Sequence, residues 1–277
     1  MNVIGLGAAG CKIVDKLQNY AQYERFYIDT ENNDYDNFYR IQEQLSHQEY
    51  EKNYKKINLK KCKGETYVVL SGSGNISGCV LRLLEQLKDN SLNVIYIKSD
   101  ESPMGEDKSR KHKIVSQVLQ QYARSGKLER IYLISNKMIE SIIGELSIKN
   151  YWGQINTVIA NTFHMCNIFA NTEPLLQNLI STPDSARIST FGVVNYQTGD
   201  EKLFYDLKYP RAISYYYNLN DNTLENENDT LTKIRDFVES KTEEKISVGF
   251  SIYPTEYKEN YIYCRHDASL IQEQNIK

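Results

Sequence analysis

Short apolar runs that end in glycine-rich or polar turns alternate with stretches at helical spacing through the first half of the chain. Val3-Ile4 enters Gly5-Leu6-Gly7-Ala8-Ala9-Gly10, and Ile13, Val14 and Leu17 then mark one face of a helix. Residues 25–29 read as a second strand. Residues 31–63 are polar and tyrosine-rich, with a short helix expected near 36–46 and a basic loop near 55–63. A buried-type strand over 66–70 runs into Ser71-Gly72-Ser73-Gly74-Asn75-Ile76-Ser77-Gly78, and a helix is expected from Cys79 to about Lys88. Strands over 94–97 and 130–134 flank a helix over about 107–124. This alternation predicts an α/β, doubly wound, mostly parallel sheet of the Rossmann-like kind.

A long helix is expected over 151–170, after which the pattern changes. Pro174 and Pro183 bracket a shorter segment. Strands are expected over 187–196, 203–207 and 212–219, then a solvated acidic loop over 218–229 and a helix over 230–241. Two strands, 246–253 and 261–266, close the pattern as a hairpin across 254–260. The organisation read from this is a nucleotide-type α/β domain over 1–150, a central helix over 151–170, a smaller α+β second domain over 171–266, and a short polar tail over 267–277.

Composition narrows the function. The net charge of −3, from 33 basic and 36 acidic residues, argues against nucleic acid as a partner. The 40% apolar content is enough for a packed core. No run of about 18 apolar residues predicts a membrane span, and the first residues lack the features of a signal peptide, so a cytoplasmic location is expected. Five scattered cysteines and four distant histidines suggest neither a disulfide framework nor a metal site. The 22 tyrosines read as coding bias rather than as a binding platform.

Candidate chemistry concentrates in glycine. Six of the 14 glycines, at 5, 7, 10, 72, 74 and 78, lie in two clusters, each between a strand and a helix. Glycines let the backbone approach a phosphate, and a helix N-terminus offers free N–H groups. Asp29, 19 residues after Gly10, suits a carboxylate reaching a ribose hydroxyl, so a dinucleotide site is one reading. A second glycine loop is more than a dinucleotide domain needs, and two loops can cradle a polyphosphate from both sides. No Gly-Lys-Ser/Thr follows, so neither loop is a Walker A motif.

In order along the chain these segments resemble the tubulin/FtsZ family. Ile4-Gly5-Leu6-Gly7-Ala8-Ala9-Gly10-Cys11 is similar to its first phosphate loop, and residues 26–30 to the strand ending near the nucleotide. Gly72-Ser73-Gly74-Asn75 is similar to the core of its signature loop. Asn136 matches a nucleotide-side Asn at a strand end, and Asn156, on the long helix, a base-contacting Asn. Glu106 and Arg110 fall where the family has a ribose-contacting Glu and a nearby Arg.

The resemblance implies binding of GTP or GDP, with Mg2+ as an accompanying ion. It also implies head-to-tail assembly, as a homopolymer or with a related subunit, and hydrolysis completed by an acid from the next subunit. The short tail points to a viral, plasmid or otherwise divergent role rather than cell division.

The departures from the family are specific. Asn171-Thr172-Glu173-Pro174-Leu175-Leu176 puts Leu176 where the water-activating acid belongs, leaving Glu173 as the one catalytic candidate, with a helix-start role as its plain reading. Lys12 replaces a base-reading Asn, Lys137 replaces an acid, and Ile76 replaces a glycine, which restricts the backbone there. Cys11 at a helix start is read either as a thiol with a lowered pKa or as a small residue that fits the turn. The leading expectation is a nucleotide-binding, filament-forming protein with weak or absent hydrolysis. The alternatives are an assembly protein that kept the fold and lost the nucleotide, and an NAD(P)-dependent oxidoreductase.

Overall fold

The computed structural model describes residues 1–98, 106–145, 147–178 and 182–272, with side chains for all of these except 106–111. The chain divides into two compact units, Met1–Asn161 with Ile271–Lys277, and Thr162–Leu270. The division falls inside the long helix rather than at its ends.

The first unit begins with β1 (Asn2–Leu6), α1 (Gly7–Asp15), β2 (Glu24–Asp29) and β3 (Phe38–Arg40). There follow α2 (His47–Lys52), β4 (Glu65–Ser71), a 3-10 turn over Asn75–Cys79 and α3 (Val80–Gln86). The unit continues with β5 (Ser91–Lys98), α4 (Glu106–Arg124), β6 (Arg130–Ser135), α5 (Asn136–Ile143) and the start of α6 (Tyr151–Ala170). Its strands run in the order β3-β2-β1-β4-β5-β6, all parallel. Ile4, Leu6, Phe26, Ile28, Val68, Leu70 and Val94 are almost wholly buried along them. Each such side chain contributes about 1.5–3 kcal/mol by leaving water, which is why these strands read as unbroken apolar runs.

The region 31–63 departs from expectation. The segment expected to be helical near 36–46 instead carries the edge strand β3, and the helix lies later, at α2. Its start is set by Ser46, whose side chain accepts from the Glu49 N–H at 3.2 Å, while the Glu49 carboxylate accepts from the Leu45 N–H at 3.1 Å. This Ser-x-x-Glu exchange satisfies two backbone donors that the helix cannot. The helix expected from Cys79 to about Lys88 is α3, which follows directly on the 3-10 turn.

The second unit holds β7 (Leu176–Asn178), β8 (Ile188–Val194), β9 (Glu201–Leu203), β10 (Pro210–Asn220), α7 (Asp221–Asn226), α8 (Thr230–Lys241), β11 (Ser247–Thr255) and β12 (Tyr261–Ala268). The strand order is β8-β12-β10-β11-β7, with β9 on β8. β11 and β12 do not form the expected hairpin: β10 lies between them, parallel to β11 and antiparallel to β12. The β10–β11 connection is a crossover through α7 and α8, as a parallel pair requires. α7 stands where a plain loop was expected, capped by Asn220, which accepts from the Thr223 N–H at 2.9 Å. The expected strand over 203–207 is only its first residue, as the end of β9.

Candidate nucleotide site

Because β1, β2, β4, β5 and β6 are parallel and in register, the segments after them emerge at one edge of the first unit's sheet. Leu6 pairs with Ile28 and with Leu70, Ser71 with Ile97, and Lys98 with Ser135. The loop after β1, Asp29, the loop after β4 and Asn136 therefore share that edge. β1 and β4 are neighbours from which the chain winds outward in opposite directions, the switch point where open α/β sheets bind ligands. Both glycine clusters follow these two strands.

The first cluster is built to bring backbone close to backbone. A Cβ on Gly10 would overlap the Val69 carbonyl of β4, and one on Gly5 would lie 2.7 Å from the Cys11 backbone. Gly7 has φ +75°, the left-handed region that favours glycine, and opens α1. No side chain caps α1 and no acid lies in its first turn, so its leading N–H groups and partial positive charge face the edge. Lys12 is exposed on the same helix.

Cys11 is not an activated thiol. Its sulfur is buried against the carbonyls of Gly5 (3.4 Å) and Ile28 (3.7 Å). Burial, with the charge of Asp29, pushes the thiol up to about 12, so the reading as a small residue fitting the turn is the one the structure supports. Asp29 ends β2, and its carboxylate accepts from the Thr30 N–H at 2.8 Å. Burial raises its pKa, reinforced by Glu31 and opposed by the Thr30 hydrogen bonds and Lys12.

The second cluster is tighter. A Cβ on Gly72 would collide with the Tyr96 hydroxyl and lie 2.8 Å from His112 Nδ1. Tyr96 and His112, both buried, stack beneath the loop. The Tyr96 hydroxyl donates to the His112 carbonyl at 2.9 Å, which leaves its oxygen to accept from His112 Nδ1–H at 2.5 Å. This pair, not visible as a motif because its members are 16 residues apart, holds the loop from below. Ser71 and Ser73 hydroxyls lie 3.1 Å apart, and the Asn75 amide donates to the Leu45 carbonyl at 3.1 Å.

Ile76 acts through its side chain rather than through restricted backbone freedom. It sits in the 3-10 turn without a positive φ. Its Cγ2 methyl lies 2.7 Å from where a Cβ on Gly7 would be and 3.7 Å from the equivalent point on Gly74. One methyl therefore spans the two glycine loops.

Asn136 is the first residue of α5 and Asn156 lies on α6; both are buried. Among the described residues neither side-chain amide has a partner in the chain. The Glu106 and Arg110 side chains lie outside the described residues. Glu173, in the second unit, is exposed in the turn after α6, and no helix begins there. The segment is stitched to β11: the Leu175 N–H donates to the Ile252 carbonyl at 2.8 Å, and Leu176 opens β7 opposite Ile252. No described helix is long and apolar enough to cross a membrane.

Neither a family profile nor a curated protein matches the chain. Solved structures do. A TubZ structure from type III plasmid segregation superposes with a TM-score of 0.72 at 15% identity, covering 98% of this chain and 88% of that one. An empty FtsZ dimer from M. jannaschii gives 0.67 at 10% identity, covering 96% and 87%. GDP-form protofilaments of Bacillus thuringiensis serovar israelensis TubZ give 0.68 at 14%, covering 96% and 83%. The chain has the FtsZ/TubZ, tubulin-like fold over nearly its whole length.

Proposed function

We propose that this chain binds a guanine nucleotide, GTP or GDP with Mg2+, at the switch-point edge of its first unit, assembles head to tail, and hydrolyses the nucleotide slowly or not at all. The observation that carries this reading is the pair of close-packed glycine loops after β1 and β4, with an uncapped, acid-free α1 N-terminus between strand and helix. Asp29 suits a ribose hydroxyl, and the unpartnered amides of Asn136 and Asn156 suit a base or ribose. The residues present fit a polyphosphate through backbone donors rather than through a lysine. The dinucleotide reading accounts for one loop and leaves the other unused.

Assembly is inferred from the likeness to structures described as dimers and protofilaments. Weak turnover is inferred from Leu176, an apolar side chain held in a strand, with Glu173 the only nearby acid in the family's loop. A second reading, an assembly protein without nucleotide, is favoured by the Ile76 methyl that spans the loops where phosphate would lie. Titration with a fluorescent GTP analogue separates the two: micromolar binding competed by GTP and GDP supports the first, and no binding at millimolar nucleotide supports the second.

A further inference from the structure

A separate cluster lies in the second unit, on the sheet face covered by α8. Cys264 and His266 are two apart on β12 and so share a face. Gly192 on β8 stands between them and β9; a Cβ there would lie 2.7 Å from Cys264 Sγ, so the glycine opens the space for sulfur. Across that gap Glu201 of β9 places Oε1 at 2.8 Å from His266 Nε2. The sulfur, the imidazole nitrogen and the carboxylate oxygen all lie within 4.8 Å of one another.

A second observation points into the same space. Tyr215 of β10 pairs directly opposite Cys264, is fully buried, and its hydroxyl has no hydrogen-bond partner. Directly opposite partners in an antiparallel pair project from the same face, so Tyr215 and Cys264 share one buried cluster. Lys241 of α8 approaches Glu201 Oε2 at 3.9 Å. The Glu201 side chain is 14% exposed, which gives an ion a way in.

We propose that Glu201, Cys264 and His266 form a zinc-type divalent cation site, with the Tyr215 hydroxyl offering the fourth oxygen. Thiolate, imidazole and carboxylate together are the ligand set of Zn2+, and two negative ligands neutralise the ion in a buried place. Tetrahedral zinc separates its ligand atoms by roughly 3.3–3.8 Å. The cluster reaches this by parting the Glu201–His266 pair slightly and drawing the sulfur in, movements that side-chain rotation supplies. Binding releases one proton, from the Cys264 thiol, as the S–Zn bond replaces S–H. Lys241, the cation now beside Glu201, competes with the metal.

The test is Co2+ titration of the full chain, followed by its thiolate charge-transfer and ligand-field absorption, with Zn2+ displacing it. The expected result is one Co2+ per chain with a thiolate band. That binding should be weakened at least about tenfold in Cys264→Ser and His266→Gln variants whose circular dichroism matches the parent. Lys241→Gln, at a partly exposed position, keeps the test open should those variants fail to fold: it should bind about fivefold tighter. Absence of a thiolate band in the parent, an unchanged band in Cys264→Ser, or unchanged or weaker binding in Lys241→Gln would each overturn the proposal.

Discussion

The glycine-loop edge of the first unit and the segment after α6 in the second diverge from the tubulin/FtsZ pattern in different ways. At the edge, substitutions such as Lys12 and Ile76 leave the backbone in place: Gly5, Gly7 and Gly10 still bring α1 against β1 and β4, and the α1 N–H groups stay uncapped. After α6 the proposed change is one of chemistry, because the aliphatic Leu176 cannot accept a proton from water and is tied into β7 opposite Ile252. Binding that rests on backbone donors survives side-chain drift. General-base work rests on one side chain and does not survive its loss. On the proposed function, the two regions therefore divide nucleotide binding from nucleotide turnover.

The strongest way to break this comparison is at Gly10. Gly10→Ala drives a methyl into the Val69 carbonyl, and nucleotide affinity should fall about 100-fold, with a stability loss of about 1–3 kcal/mol, visible as a lower melting temperature. Gly153→Ala, in α6 and outside both loops, is the control: a Cβ there meets nothing within 4 Å, so affinity should not move and stability should not fall. Equal losses in the two variants would show that the edge is not organised around the first loop.

Leu176→Glu probes the other region. The side chain is 39% exposed, so a carboxylate is tolerated, and phosphate release in the assembled state should rise about 10- to 100-fold. No rise, with assembly intact, would mean that more than one group is missing from the catalytic loop.

Ile76→Gly removes the methyl between the loops. Affinity should rise about fivefold as backbone N–H groups become reachable, while the added chain freedom costs about 0.5–1 kcal/mol of stability. Unchanged affinity with lower stability would make Ile76 a packing residue only.

The smallest effect concerns Asp29, whose folded pKa is raised. A raised carboxyl stabilises the fold while protonated, below its unfolded pKa, and that contribution is lost as pH rises through the folded pKa. Asp29→Asn keeps an oxygen for the Thr30 N–H, so it should raise the melting temperature slightly at pH 7 and not in acid. Nucleotide affinity should fall about threefold if the carboxylate meets the ribose. A melting temperature that drops at pH 7 contradicts this assignment.

The sheet of the first unit was legible because its strands are buried on both faces and end in glycine or a polar turn. What was missed lacks that signal. β3 is a three-residue edge strand without an apolar run, and α2 and α7 are single short helices whose only signatures are the caps Ser46 and Asn220. The two closing strands read as a hairpin from adjacency alone, whereas β10, not a sequence neighbour of β12, separates β11 from β12. The same limit applies to the site. The glycine loops were readable as loops, but the Ile76 methyl against Gly7 and the Tyr96–His112 pair under Gly72 arise only when distant segments meet.

The central claim is that the chain holds nucleotide without turning it over. The direct measurement is a chase of γ-phosphate-labelled GTP through assembly, with filaments scored by electron microscopy and label recovered as GTP or as free phosphate. The account predicts filaments that retain the label as GTP well after assembly is complete. Release of phosphate as fast as filaments form, or filaments that carry no label at all, would contradict it.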